Sequence, residues 1–235
     1  MTQLDSLDHL RVADATLASS MPQLLAAPAL LLLPERLLLY SLVRGLRPDR
    51  VLEIGTRFGG SAGIICAALD DVRQESPEHD GRLVCVDAAP EIPAALWTTI
   101  AHRTSVVRGR SPEVIPEARA VAAGAFDFIF VDGDHHAEGV ARDLAGVLAV
   151  AAPGAAILCH DACHADVAAG IDEAIKRHST SLIDVGLIST LATAPSTRRD
   201  GVTEQWGGLR LLRRTPAPRT IVDEQDEVTA GVRSR

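Results

Sequence analysis

Short apolar runs separated by longer amphipathic stretches organise the chain. Val51 to Ile54, Leu83 to Val86, Ser105 to Val107, Phe126 to Val131 and Ala155 to Cys159 are mostly apolar and short, as strands buried on both faces are. Between them lie stretches with helical character: Ala62 to about Val72, Pro93 to Arg103, Pro112 to about Ala123, Ala137 to Val150 and, after the fifth run, Val167 to Arg177. Apolar strands alternating with helices predict an α/β fold, a parallel sheet covered on both faces. Ser181 to Ile188 and Gly208 to Leu212 predict two last strands, with a polar loop from Ala194 to Gln205 between them.

Residues 1–48 precede the first strand and read as a helical extension. Leu4, Leu7, Leu10, Val12 and Leu17 suggest an amphipathic helix interrupted near Pro22, and Pro34 opens a second helix that should stop at Gly45. These helices are expected to cover the ligand site or to form a subunit interface, so a homo-oligomer is expected. Residues 49–214 form the main domain. The tail 215–235, rich in Pro, Thr and charge, reads as disordered.

Composition narrows the function classes. The 235 residues are 47% hydrophobic, enough for a sizeable core, but only 3% aromatic. A net charge of −8 argues against a nucleic-acid backbone as the main partner. The four cysteines are dispersed and mostly within predicted core elements, which fits a reducing cytoplasm. The N-terminus carries Asp5 and Asp8 and no basic segment, unlike a signal peptide. The Leu30 to Leu33 run, bounded by Pro28 and Pro34, is far too short to span a membrane.

Candidate chemistry gathers at the strand ends. Val51 to Ile54 runs into Gly55-Thr56-Arg57-Phe58-Gly59-Gly60-Ser61, a strand, a glycine turn and a helix start. That layout aims backbone N–H groups at a polar ligand and lets it come close to the chain. The glycine spacing is not the G-x-G-x-x-G of dinucleotide sites, and Glu53 beside it would repel phosphates. A carboxylate there suits a cofactor with an ammonium or sulfonium group. Asp87, at the end of the second strand, could accept from both ribose hydroxyls of an adenosine, and Ser111 could meet an adenine edge or cap a helix. Asp132 and Asp161 end the fourth and fifth strands, so acids line the carboxyl edge where such sheets bind ligands.

The Glu53-to-Ser61 stretch resembles motif I of class I S-adenosylmethionine-dependent methyltransferases. Val131-Asp132-Gly133-Asp134-His135-His136, together with Pro153-Gly154 and His160-Asp161, resembles the metal-dependent O-methyltransferases, closest to a bacterial branch. That branch includes sugar O-methyltransferases of macrolide and aminocoumarin pathways and cephalosporin-pathway relatives. The likeness runs from about Pro34 to Leu212. It implies a Rossmann-like class I sheet of seven strands, the last antiparallel, and transfer of a methyl group to a hydroxyl of a small molecule, sugar or polyol-like, in secondary metabolism. It further implies S-adenosylmethionine held by Glu53, Gly55, Thr56, Arg57, Gly59, Ser61, Asp87, Ser111 and Asp132, and a divalent metal, Mg or Mn, held by Asp132, His160 and Asp161. His160 stands where the family has an acid, and an imidazole suits softer metals than Mg. His135 is the expected general base, with Asp134 as its rival. An NAD-dependent oxidoreductase and a catalytically silent cofactor-binding partner protein are the alternatives. A zinc site from Cys159, His160, Cys163 and His164 is disfavoured, because alternate strand residues face opposite ways.

Overall fold

The computed structural model describes residues 20–216. The expected helix over Leu4 to Leu17 and nearly all of the expected disordered tail lie outside them. A helix over residues 20–26 (α1) includes Pro22, so that proline does not interrupt helix among the described residues. An extended strap over 27–32 follows, then α2 (Leu33–Leu46). Helix α2 runs one residue past Gly45, the expected stop, because Arg47 takes the left-handed conformation that closes it.

The main domain then alternates strictly. Strands β1 (Arg50–Ile54), β2 (Arg82–Asp87), β3 (Thr104–Arg108), β4 (Phe126–Val131) and β5 (Ala151–Cys159) are linked by α3 (Gly60–Glu75), α4 (Ala94–Ile100), α5 (Ile115–Val121) and α6 (Ala137–Val150). Helix α7 (Ala165–Arg177) leads to β6 (Leu182–Ala192), the two-residue strands β7 (Ser196–Thr197) and β8 (Thr203–Glu204), and β9 (Gly207–Arg214). The seven-stranded sheet has the order β3-β2-β1-β4-β5-β9-β6, and β9 runs antiparallel to both neighbours. This is the expected class I sheet. The loop expected from Ala194 to Gln205 instead contains the small β7–β8 hairpin.

Alternation along the strands builds two cores. Leu52, Ile54, Val84, Val86, Ile129 and Val131 face α5, α6 and α7. Val51, Leu83, Cys85, Phe128, Phe130 and Leu158 face α1, α2 and α3. Strand β5 begins four residues before the expected Ala155. Ala151 pairs with Phe126, the register then shifts, and Pro153-Gly154 is absorbed as an irregularity inside the strand rather than a turn before it.

This alternation decides where the strand-end residues point. Glu53 shares the α2–α3 side with Val51. Asp132 and His160, each following a residue of the α6 side, turn toward α2 as well.

Candidate active site

The carboxyl ends of β1, β4 and β5 are pinned side by side. Gly55 N–H donates to the Val86 carbonyl at 2.9 Å, Asp132 N–H to Ile54 at 2.8 Å and His160 N–H to Val131 at 3.0 Å. Gly55 has φ +89° and passes so close to Asp132 that any Cβ there would overlap the Asp132 carbonyl. Only glycine permits both the left-handed backbone and that approach.

Asp132, His135 and Asp161 converge at this edge. His135 Nε2 lies 3.2 Å from Asp161 Oδ2 and 3.7 Å from Asp132 Oδ1. Asp161 is held in the left-handed region, φ +54°, and its Oδ1 accepts the Gly207 N–H at 2.6 Å, which turns Oδ2 toward His135. A non-glycine residue in that region at a strand end marks a position that the surrounding structure enforces. Among the described residues this trio is the one group of His, Cys, Asp and Glu placed to share a metal ion.

His160 is not in that donor group, contrary to the sequence expectation. Its ring is buried, with Nδ1 3.1 Å from Asp132 Oδ1 and 3.4 Å from Asp161 Oδ2, and Nε2 3.3 Å from Glu35 Oε2. Both nitrogens are therefore taken by carboxylates. Burial works to discharge the ring, but Asp132, Glu35 and Asp161 prevail and push the imidazole up to about 11. Burial likewise opposes ionisation of Asp132, yet His160 and His135 hold its carboxyl below the usual range. The neighbouring carboxylates of Asp132 and then Asp161 raise His135 to about 9.

Two adjoining clefts open at this edge and share Gly55, Asp87, Gly133 and His135. The first, about 370 Å³, runs between the glycine turn, the strap residues Pro28 to Leu31 and the acid cluster; Thr56, Arg57 and Ser61 line it. The second, about 630 Å³, lies over the ends of β2 and β3 and is lined by Asp87, Ser111, Asp134 and Asp143. Asp87 braces the glycine turn: Oδ2 accepts Arg57 N–H and Oδ1 accepts Ala89 N–H, both at 2.7 Å. Ser111 sits in the cleft wall and is not a helix cap, since α5 starts at Ile115 with Val114 before it. Gly59 is the left-handed residue before α3.

Two expected residues have a different placement. Glu53 is fully buried beneath the turn and is not in either cleft wall. Its Oε2 accepts the Thr56 hydroxyl at 2.8 Å and its Oε1 has no partner. Burial pushes this carboxyl up. Glu53 thus reaches the cleft through Thr56. Asp134 belongs to the larger cleft, where Oδ1 takes the His136 N–H and sits 2.9 Å from the His136 ring. It does not join the metal-competent trio. As for the disfavoured zinc site, Cys159 is packed into the α6-side core while His160 faces Glu35.

Sequence reasoning missed three residues. Glu35 and Arg36 open α2 far from the motifs, and no sequence pattern singled them out. Trp206 follows the polar loop, and its ring meets His135 edge-on at 5.2 Å and stacks on His164 at 4.4 Å.

Comparison with known proteins agrees with this fold. Residues 52–162 match the family model for a methyltransferase domain. No curated protein matches the sequence. Among solved structures, the chain is similar to the O-methyltransferase TomG from Streptomyces achromogenes, involved in tomaymycin synthesis and solved with S-adenosylmethionine. Identity is 21% over 79% of this chain and 81% of that one, with a TM-score of 0.56. An O-methyltransferase from Bacillus cereus, solved with S-adenosylhomocysteine, is 18% identical over 87% and 89%, with a TM-score of 0.57. A precorrin-6y C5,15-methyltransferase from Geobacter metallireducens is 14% identical over 82% and 94%, with a TM-score of 0.55. The last acts on carbon by its name, so the shared fold does not choose the acceptor atom. No helix among the described residues is long and apolar enough to cross a membrane.

Proposed function

We propose that this chain is a class I S-adenosylmethionine-dependent methyltransferase, as its sheet and its matched domain support, and that the methyl group goes to a hydroxyl oxygen of a small molecule. The observation that carries this reading is the convergence of Asp132, His135 and Asp161 at the junction of the two clefts. The larger cleft suits the adenosine, with Asp87 at its ribose and Ser111 at its base, and the smaller suits the methionine part beside Thr56 and Ser61. The buried, unpartnered Glu53 Oε1 fits a cationic cofactor nearby, because a carboxylate left so is costly without a compensating charge.

The Asp132 and Asp161 carboxylates are a fitting pair of oxygen donors for Mg²⁺ or Mn²⁺, with the His135 ring beside them. Such a cation would supply positive charge that favours ionisation of the acceptor hydroxyl. Asp132 and Asp161 are assigned to hold it. His135 is assigned the proton: its Nε2 stands at the cluster, and its ring is 37% exposed where an acceptor can reach it. S-adenosylmethionine held in these clefts would supply an electrophilic methyl carbon, its carbon–sulfur bond breaking to leave S-adenosylhomocysteine. The acceptor oxygen would bond that carbon as its hydrogen passes to His135, which a cation at Asp132 and Asp161 would leave neutral by offsetting the two carboxylates that otherwise raise it. His160, with both nitrogens engaged, orients Asp132 and Asp161 rather than taking part.

The acceptor side is bordered by the Trp206 ring beside His135, which favours a hydroxyl carried on an apolar or ring-bearing body. Calorimetric titration with S-adenosylhomocysteine, with NAD, and with Mg²⁺ or Mn²⁺ tests the reading. Binding of S-adenosylhomocysteine and of a divalent ion is expected; binding of NAD alone would defeat it.

A further inference from the structure

The first turn of α2 carries a second device beside Glu35. The Arg36 guanidinium donates to the carbonyl oxygens of Leu31 (3.0 Å), Leu24 (3.1 Å), Leu25 (3.2 Å), Ala27 (2.9 Å) and Ala29 (2.7 Å). Three of these belong to the strap, and the other two to the last turn of α1. A segment without regular structure leaves its carbonyls facing nothing, and one planar fork collects them here. The strap is pressed against the glycine turn at its other side: a Cβ on Gly60 would overlap the backbone of Pro28 and Ala29. Pro28, Ala29, Leu30 and Leu31 form one wall of the smaller cleft, opposite Thr56 and Ser61.

From this geometry we infer that Arg36 is a positioning residue for cofactor capture: it sets the shape of the strap, and the strap is the wall that closes the methionine side of the cleft. The inference rests on the methyltransferase reading above. Arg36 touches neither cleft itself and so acts only through the carbonyls it holds. Lysine carries the same charge on a compact ammonium that cannot span carbonyls from residue 24 to residue 31, so charge alone should not rescue the function.

The test is calorimetric titration of the full chain with S-adenosylhomocysteine at low temperature, for wild type, Arg36→Gln and Arg36→Lys. It is paired with hydrogen exchange over residues 25–32 and steady-state kinetics in S-adenosylmethionine. Both variants should bind at least tenfold more weakly and raise the KM for S-adenosylmethionine similarly. At saturating cofactor, kcat should stay within about threefold, and exchange in the strap should rise. A residue that merely stabilised the fold would lower the melting temperature and leave the affinity of the folded fraction unchanged. Should Arg36→Gln fail to fold, Arg36→Lys carries the test; failure of both to fold would assign Arg36 to folding and overturn the inference. A wild type that binds beside variants that bind equally well overturns this inference alone. A wild type that ignores S-adenosylhomocysteine overturns the methyltransferase reading and this inference with it.

Discussion

Glu35 Oε2 lies 3.3 Å from His160 Nε2, although 125 residues separate them along the chain. The same carboxylate accepts the Leu32 N–H through Oε2 at 2.8 Å and the Gly208 N–H through Oε1 at 2.6 Å. One fully buried side chain therefore joins helix α2, the antiparallel strand β9 and the acid cluster. Removing it should be expensive. Glu35→Ala strands two backbone donors and a charged ring, and a loss of about 3–5 kcal/mol is expected, as for other broken buried pairs. Glu35→Gln, which keeps an acceptor oxygen, should lose less. Urea unfolding of the two variants against wild type measures both.

His135→Ala should lower turnover by roughly 10²–10⁴-fold, the usual weight of a general base. Its affinity for S-adenosylhomocysteine and for the divalent ion should stay near wild type, because Asp87 and the two carboxylates are intact. Asp134→Asn should have a much smaller effect on turnover, since its carboxylate is engaged with His136. Single-turnover kinetics with matched cofactor saturation separates the two. The reverse ranking would move the proton-accepting role to Asp134.

Stability of the metal-free protein should depend on pH in the alkaline direction. The folded state raises His135 to about 9 and His160 to about 11, above the ordinary histidine value of 6.5. Groups raised in this way stabilise fully below the unfolded value and lose that contribution as pH climbs through the folded one. Chelator-treated protein should therefore unfold more easily as pH rises from about 6.5 toward 11, and Glu35→Gln should shrink the effect. Denaturant midpoints across this range provide the check; a flat profile would refute the raised values.

Two glycines give a matched contrast. Gly55 and Gly186 both have positive φ, +89° and +107°, but a Cβ at Gly55 would overlap the Asp132 carbonyl while one at Gly186 meets nothing. Gly186→Ala should lose only about 1 kcal/mol, the scale of left-handed strain. Gly55→Ala should abolish cofactor binding or folding, because β1 and β4 cannot both keep their register. Thermal unfolding with and without S-adenosylhomocysteine distinguishes them.

Trp206→Ala should raise the KM for an apolar acceptor while leaving S-adenosylhomocysteine affinity unchanged, because its ring contacts His135 and His164 and not the cofactor clefts. Initial rates with a panel of hydroxylated compounds would show it; an unchanged ranking of acceptors would remove Trp206 from the acceptor wall.

Much of this molecule could be read along the chain. The strand β4 was bounded to the residue, because six mostly apolar positions between Gly124-Ala125 and Asp132 fit a covered sheet. Gly55, Asp87, Asp132 and Asp161 were found at strand ends because a parallel sheet collects ligands there whatever the helices do. Local pattern could not reveal what packs across elements. His160 read as a metal ligand from its place beside Asp161. Only tertiary structure showed that α2 brings Glu35 against its outer nitrogen and makes it a buried counter-ion. Glu53 read as a cofactor contact, but a side chain whose turn direction follows the pleat ended beneath Thr56. Arg36 and Trp206 carried no motif at all. Their roles depend on five carbonyls folded back from residues 24–31 and on two imidazoles delivered by other segments. Spacing along the sequence encodes which face a residue takes within its own element. Which residue waits on the other side is set by how separate elements pack, and that the tertiary structure alone decided.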